Sequence, residues 1–588
     1  MPTTSPSSER LTTAFWLALL LLGFAIYLQG LGGQYVPTNG DEMVYLHIAR
    51  ETAETGQWLP LASELENMRN TKPPLLIWQA MVAGGWGQGW HMAALRAPSL
   101  LYLLLICAGI VFSLRAITQR WREGLIAVCV FLAFLSTFRY GRPYLTSAPE
   151  TFWFSLPLFA LIWQRARLPA AGPGWLAHVV FGIALGLGLA YKSFALVAPA
   201  AAAWWLALVA SESHPSWPAL LRHTLRVAFS AVLALGVFGL WFVLDPDPQS
   251  VWREFIVGEN AAKFADPRGY WRAALAFDGS GVWSQLLAYA INAGLLFFVL
   301  PGLAWVGLKA LPQLRRRWPL PAPQAILLAW AAVWLLVFLF PSQRSARYVI
   351  PAMPAVAMLI ALHWRDIPRG WYLPTLLLAA PVLLVLTRLA WVGHEIGLAS
   401  PAEIGLTLGI VAAAVVCIGL GLWRSAWSRA AAVLCTLLVY AAFNAMVAPL
   451  DGPAGRYDER AIAAAPVGRI AVPTGFNGQF ERFQFLLPGA HDFVPYDSRA
   501  QARARRGPDA EGQAQAAEEL RQLLSTHAAV VWTASHGEQV TPPCLPDCRV
   551  LGERWLLTSR HAPGEIRKDN LWYPQQWLYR REWLLVRS

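Results

Sequence analysis

Lysine is scarce in this sequence, five residues against 42 arginines, and charge of either sign is thin: Asp, Glu, Lys and Arg together make up 14% of 588 residues. A soluble chain carries about 25% charged residues, and the shortfall excludes a water-exposed globular protein. Cysteine is sparse as well, six in all, and no two Cys or His pairs stand at the spacing that would give zinc its four ligands. No internal repeat divides the chain into the matched halves of many transporters. The first apolar run, Leu11 to Leu31, lacks a small-x-small cleavage site and is too long for a signal peptide core. It reads as a retained first span.

What the chain does have is apolar surface: 56% hydrophobic residues and 30 Trp, with a mean hydropathy of +0.41. Apolar stretches of roughly 17 to 25 residues number about thirteen, near 12–32, 95–117, 122–138, 150–165, 175–191, 194–210, 224–244, 284–309, 324–340, 346–364, 370–391, 402–423 and 428–448. The shorter apolar run from Pro74 to Trp86 suits a helix lying at the interface. Alternate loops are basic, among them Arg115 to Arg122, Lys309 to Arg317, His363 to Arg369 and Trp423 to Arg429. The positive-inside rule therefore places the N-terminus in the cytoplasm, and residues 36–74, 245–281 and everything after Leu450 outside. The net charge of +12 is largely topological, because the cations are strewn between spans rather than gathered on one nucleic-acid-binding face. The expected architecture is an all-α polytopic membrane domain over residues 1–450, followed by a small outside α/β domain over 451–588. In that tail R-I-A-V, H-A-A-V-V-W-T-A, R-W-L-L-T-S and E-W-L-L-V read as strands, Glu511 to His527 as a helix, and Cys544 with Cys548 as a pair able to close a small loop in an oxidising compartment.

The informative polar residues are those that orientation does not explain. Asp41 and Glu42 follow the Asn39-Gly40 turn signal at the start of a short helix, with Tyr45 four residues on from Asp41 and so on its face. A capping carboxylate is the bland reading; the chemical one is an acid that orients, or takes a proton from, an attacking hydroxyl. Lys72 stands in T-K-P-P, whose prolines stiffen the loop before a new helix, and the alternative is a lysine snorkelling to lipid phosphate. Glu150 opens a span, where a carboxylate also suits the positive helix end. Lys192, Arg344, Arg347 and Tyr348 sit at outer helix ends, fitted either to a bound phosphate or to ordinary phospholipid. In the loop 245–281, Trp252, Phe255, Ile256 and Phe264 fall near helical spacing, with Glu259 and Lys263 at i and i+4 on another face. Asp41 and Glu150 are also an oxygen-ligand set for a divalent cation, although no strong metal motif is present.

Seven motifs in order carry a family resemblance: D-E-x-x-Y (Asp41 to Tyr45) leading into I-A-R-E, K-P-P-L-x-x-W (Lys72 to Trp78), R-x-P-S (Arg96 to Ser99), G-L-G-L-x-x-K (Gly186 to Lys192), F-x-x-x-E-x-x-x-K-F (Phe255 to Phe264) and S-x-R-x-x-R-Y-x-x-P-x-x-P (Ser342 to Pro354). The chain resembles the GT-C membrane glycosyltransferases, in the branch of the lipid A aminoarabinose transferases and protein O-mannosyltransferases. That resemblance implies an inverting enzyme of the bacterial inner membrane with a periplasmic C-terminal domain. It would move a sugar, 4-amino-4-deoxy-L-arabinose or a related one, from an undecaprenyl phosphate donor to lipid A or another envelope glycolipid. By the same resemblance Asp41 engages the acceptor with Glu42 and Tyr45 beside it; Lys72, Arg344, Arg347 and Tyr348 cradle the departing phosphate; and Glu150, Lys192, Glu259 and Lys263 line the cavity. Val44, Thr71, Asn260 and Lys263 stand where aminoarabinose transferases usually carry Arg, Glu, His and Arg, which leaves sugar and acceptor open. A protein-acceptor enzyme, or a flippase for a lipid-linked sugar, are the alternatives; a flippase needs the cations and no acid at the acceptor.

Overall fold

The computed structural model describes residues 6–35, 40–65, 67–168, 173–212, 216–261, 269–317, 321–474, 478–489, 491–497, 510–537, 539–558, 561 and 564–588. Lys263 and Phe264 lie outside the described residues. The chain divides into two compact units, one made of residues 1–29, 48–380 and 414–440, the other of 30–47, 381–413 and 441–588.

The first unit is helical. Its early elements are α1 (Pro6–Leu28), α2 (Gly40–Glu54, which continues into the second unit), α3 (Pro74–Ala83), α4 (Met92–Thr118), α5 (Trp121–Ala133), α6 (Leu135–Tyr140), α7 (Ser147–Arg167), α8 (Trp175–Tyr191), α9 (Val197–Ala210) and α10 (Trp217–Leu244). Among the described residues, five helices of the whole chain are long and apolar enough to cross a bilayer: Met92–Thr118, Trp217–Leu244, Arg369–Glu395, Pro401–Trp423 and Ser428–Asp451. A sixth forms if the pair Ala288–Leu296 and Val299–Ala310, bent by 117°, counts as one. Shorter apolar helices follow the remaining runs, including Thr12–Leu28, Phe194–Ala210, Ala322–Val337 and Ala346–Leu362. At the bend Gly294 has φ +63°, and a Cβ there would stand 2.6 Å from that of Leu135. Only glycine takes that backbone angle cheaply and leaves that space.

Lipid offers no hydrophobic drive for helix association, so close packing has to supply it. Gly182 and Gly186 on α8, four residues apart, do this against α10: added Cβ atoms would come within 3.0 Å of the Ser230 carbonyl and 2.5 Å of the Val237 Cβ. Gly109 on α4 similarly admits the Phe159 ring of α7, at 2.4 Å. Between α8 and α7 the close approach is at Gly188, where a Cβ would lie 3.0 Å from the Phe154 ring; the C-terminal end of α8 and the first turn of α7, which meet through Lys192 and Glu150, carry two of the candidate residues.

The second unit holds a five-stranded sheet of β1 (Gly468–Thr474), β2 (His491–Asp497), β3 (Ala529–Thr533), β4 (Cys548–Leu557) and β5 (Tyr579–Arg587) in the order β2-β1-β3-β5-β4. β1 runs parallel to β2 and β3, while β5 pairs antiparallel with β3 and β4. Leu520 and Leu524 of the helix Ala510–Thr526 pack with Val530, Trp532, Trp583 and Leu585 of the sheet. Cys544 and Cys548 form a disulfide in this core, and the other four cysteines are buried thiols. The unit is more than the tail: the Tyr579 hydroxyl donates to the Leu389 carbonyl at 2.8 Å and Arg388 Nε to the Trp572 carbonyl at 3.1 Å, tying in residues 381–413.

Candidate active site

Within the first unit the lysines expected at outer helix ends are each held by a carboxylate. Lys72 Nζ meets Glu259 Oε1 at 2.8 Å and donates to the Thr71 carbonyl at 2.7 Å. Pro73 is extended (φ −63°, ψ 159°) and Pro74 opens α3, so the lysine leaves a stiff backbone.

Glu259 is delivered by an unusual element. Residues Trp252–Asn260 wind as a π-helix, with hydrogen bonds five residues apart rather than four. In an α-helix Glu254 and Glu259 would lie about 140° apart; the wider winding brings both to the strand of chain around Asn70. Glu254 Oε2 accepts from the Asn70 backbone N–H at 3.1 Å and from its Nδ2 at 3.2 Å, while Glu259 takes Lys72. Arg69 adds a third tie, to Asp247 at 2.5 Å. A helix does form in this loop over Trp252–Asn260, wound differently from the one expected, with Phe255 buried and Trp252 exposed.

The second lysine caps α8. Lys192 Nζ stands 2.9 Å from Glu150 Oε2, in the first turn of α7, and 3.0 Å from Thr146 Oγ1. Next to it Ser193 Oγ donates to Asn260 Oδ1 at 2.6 Å, and Asn260 Nδ2 donates to the Phe255 carbonyl at 2.8 Å. The two ion pairs, Glu150–Lys192 and Lys72–Glu259, are thus held near one another by the Ser193–Asn260 hydrogen bond, made by the residue next to Lys192 and the residue next to Glu259. Burial pushes the Lys192 ammonium below the usual lysine range; Glu150 opposes this, and the positive charges of Arg347 and Lys72 add to it.

Arg347 packs its guanidinium over the Tyr140 ring at 4.6 Å. Tyr348 stacks obliquely on Phe338, centroids 4.9 Å apart. Both lie in the 3-10 turn Ala346–Ala352, whose first N–H groups are met by Ser345. Arg344 is more deeply committed: it is 4% exposed, and it donates to the carbonyls of Leu339, Ser280 and Ser342 while lying 5.3 Å from the Tyr270 ring centroid. Its Nη2 is buried with no partner among the described residues. Thr146 and Ser193, which the sequence reading passed over, complete the cluster; a small hydroxyl in an apolar chain gives no periodic or charge signal.

Asp41, Glu42 and Tyr45 belong to the second unit. α2 begins at Gly40, so both acids occupy its first turn rather than the cap, where they complement the positive helix end. Glu42 is fully buried, Tyr45 nearly so. Among the described residues no group of three or more His, Cys, Asp or Glu is placed to hold a metal ion.

No family model matches the chain. It is similar to undecaprenyl phosphate-alpha-4-amino-4-deoxy-L-arabinose arabinosyl transferase 1 of Sodalis glossinidius (strain morsitans), 28% identical over 361 residues, 60% of this chain and 59% of that protein. The transferase of the same name from Aeromonas salmonicida (strain A449) is 27% identical over 341 residues, 56% of each chain. The chain therefore spans less than two thirds of the length of these curated relatives. Among solved structures, ArnT from Cupriavidus metallidurans bound to undecaprenyl phosphate superposes with a TM-score of 0.58 and 16% identity over 98% of both chains. The resemblance read from the motifs holds, and the fold of this multi-pass membrane protein is that of the aminoarabinose transferases.

Proposed function

We propose that the protein is an inverting glycosyltransferase that moves 4-amino-4-deoxy-L-arabinose, or a related sugar, from undecaprenyl phosphate to lipid A or another envelope glycolipid. The observation that carries this reading is the two lysine–carboxylate pairs, Lys72–Glu259 and Lys192–Glu150, tied through Ser193 and Asn260, with the charge of Arg347 acting on Lys192. The named activity of the curated relatives supports the same choice of donor.

In the proposed step an acceptor oxygen attacks the anomeric carbon from the face opposite the phosphate, and the carbon–oxygen bond to the phosphate breaks. The bonding pair leaves with undecaprenyl phosphate, and a carboxylate takes the acceptor's proton. Inversion follows from the single displacement, and the transition state needs cations where charge grows on the leaving oxygen. Lys72, Lys192, Arg347 and Tyr348 supply that end, with Arg344 Nη2 as a further donor. Asp41 is assigned to the acceptor, Glu42 and Tyr45 beside it, and Glu259 and Lys263 to the cavity wall.

The orientation proposed is a cytoplasmic N-terminus in the inner membrane, about thirteen spans, and a periplasmic C-terminal domain; a disulfide in that domain beside four thiols elsewhere suits an oxidising compartment. Substitution Asp41→Asn tests the assignment in vesicles containing the aminoarabinose donor and lipid A. Loss of transfer with undecaprenyl phosphate binding retained is expected. Full transfer by Asp41→Asn removes the acid from the mechanism, and donor movement without transfer by the wild type makes the protein a flippase.

A further inference from the structure

The segment that carries Asp41 and Glu42, residues 30–47, belongs to the same compact unit as the C-terminal domain. It is gripped at both ends. At its start the Asp451 carboxylate accepts from the backbone N–H of Gln34 at 2.6 Å and of Tyr35 at 3.5 Å. Gly33 presses against the same carboxylate so closely that a Cβ would lie 2.1 Å from Oδ2. Arg554 of β4 donates to the Tyr35 hydroxyl at 3.0 Å while paired with Glu582 of β5 at 2.5 Å.

At the far end His47 Nδ1 meets Glu481 Oε2 at 3.1 Å, both side chains 0% exposed. The Phe480 ring stands edge-on to the imidazole, 5.1 Å between centroids. Between the two ends the loop at 478–480 lies on the helix itself: a Cβ on Gly40 would stand 2.7 Å from Gln479 Nε2, and one on Gly478, at φ +76°, 2.9 Å from the Val44 Cα.

Gly40, Val44 and His47 are at i, i+4 and i+7, a single face of α2. Asp41 and Tyr45 stand one residue on, about 100° around the helix. Residues 478–481 therefore fix the rotation of α2 while leaving the face of Asp41 uncovered by that grip. A helix end left to itself frays, and an acid in the first turn would move with it.

We propose that the C-terminal domain is a clamp that sets the position and rotation of Asp41 and Glu42, with Asp451 fixing the approach of the chain and Glu481, through His47, fixing the turn of the helix. The proposal rests on the reading of Asp41 as the acid at the acceptor. His47, Asp451 and Glu481 act through α2 and are positioning residues.

The test uses the full-length protein in vesicles with the aminoarabinose donor and lipid A, comparing Glu481→Gln and Asp451→Asn with wild type. Each variant is expected to keep the donor KM within twofold and to lower kcat by roughly 10- to 100-fold, the penalty of a misplaced reacting group. Glu481→Asp, which restores the carboxylate, should recover part of that loss. Amide hydrogen exchange should rise in peptides covering residues 40–47 and stay unchanged around Gly186 to Lys192. Asp451 lies partly exposed, so its isosteric variant answers the question where Glu481→Gln does not fold. Wild-type kcat in both variants overturns the proposal, as does a uniform rise in exchange with kcat and KM changing together. Full turnover by Asp41→Asn overturns the catalytic reading instead, and does so whatever the exchange pattern.

Discussion

The two compact units handle buried charge in opposite ways. In the sheet-containing unit Arg554 and Glu582 are 1% and 0% exposed, 2.5 Å apart and surrounded by the Tyr35 and Tyr457 hydroxyls. Burial alone would pull the Arg554 guanidinium down, but Glu582 and the two phenols more than reverse it; the pair itself is sealed from solvent. In the helical unit the lysine pairs stay partly open, Lys72 at 11% and Glu259 at 32%, Lys192 at 19% with Glu150 at 3%. A sealed pair costs several kcal/mol to break and offers nothing to a ligand. A half-open pair costs little to exchange, and an incoming phosphate can take the carboxylate's place. On the proposed function, the difference separates charge used for holding from charge used for binding.

The sharpest way to break the comparison is Glu582→Gln, which strands Arg554 in the core. It should cost about 3–5 kcal/mol, read as a lowered midpoint for unfolding of the C-terminal domain, with undecaprenyl phosphate affinity unchanged where the protein remains folded. Next in size, Lys72→Ala should lower transfer by about 100- to 1,000-fold with less than ~1 kcal/mol lost in stability, the reverse pattern. Glu259→Gln should move both quantities least among the pair substitutions: it removes the carboxylate charge that competes for Lys72, so undecaprenyl phosphate should bind a few-fold tighter, within the ~1 kcal/mol a partly exposed pair is worth. Weaker binding in Glu259→Gln would mean that the carboxylate helps the lysine rather than standing in for the phosphate.

The smallest effect is one of pH. Only charged Lys192 attracts phosphate, so its contribution is complete below its own pKa and lost above it. Because burial lowers that pKa, undecaprenyl phosphate affinity should begin to fall at a pH below the ordinary lysine range of about 10.4. Stability runs the other way: the unfolded chain keeps this proton to higher pH, so folding should gain slightly as pH rises between the folded and unfolded pKa values. Lys192→Arg should shift the alkaline fall in affinity to higher pH, and an unshifted titration curve would remove Lys192 from the binding charge.

Much of this is legible in the sequence itself. Long apolar runs fix helices by themselves, and the expected runs fall on helical segments, although among the described residues only five or six are long and apolar enough to cross a bilayer and the run 284–309 is bent by 117°. Strands were readable where β-branched and aromatic residues cluster, as in Ala529–Thr533. β2, H-D-F-V-P-Y-D, escaped because it carries acids and a proline; as an edge strand of the sheet it tolerates Pro495. The charged candidates stood out against an apolar background, yet their pairing did not, since Lys72 and Glu259 are 187 residues apart in the chain. The grip of residues 478–481 on α2 was equally invisible, because glycine at Gly478 and a buried Glu481 carry no message about a helix more than 400 positions earlier.

The winding of Trp252–Asn260 has a consequence for matching this chain to others. Two acids five apart on a π-helix meet the same stretch of chain that two acids four apart would meet on an α-helix. A homologue one residue shorter here would keep both contacts, yet an ungapped alignment would set its second acid against Gly258 and report the lysine's partner as lost. Equivalence through this loop is better judged by which residue faces Lys72 than by which shares a column with Glu259.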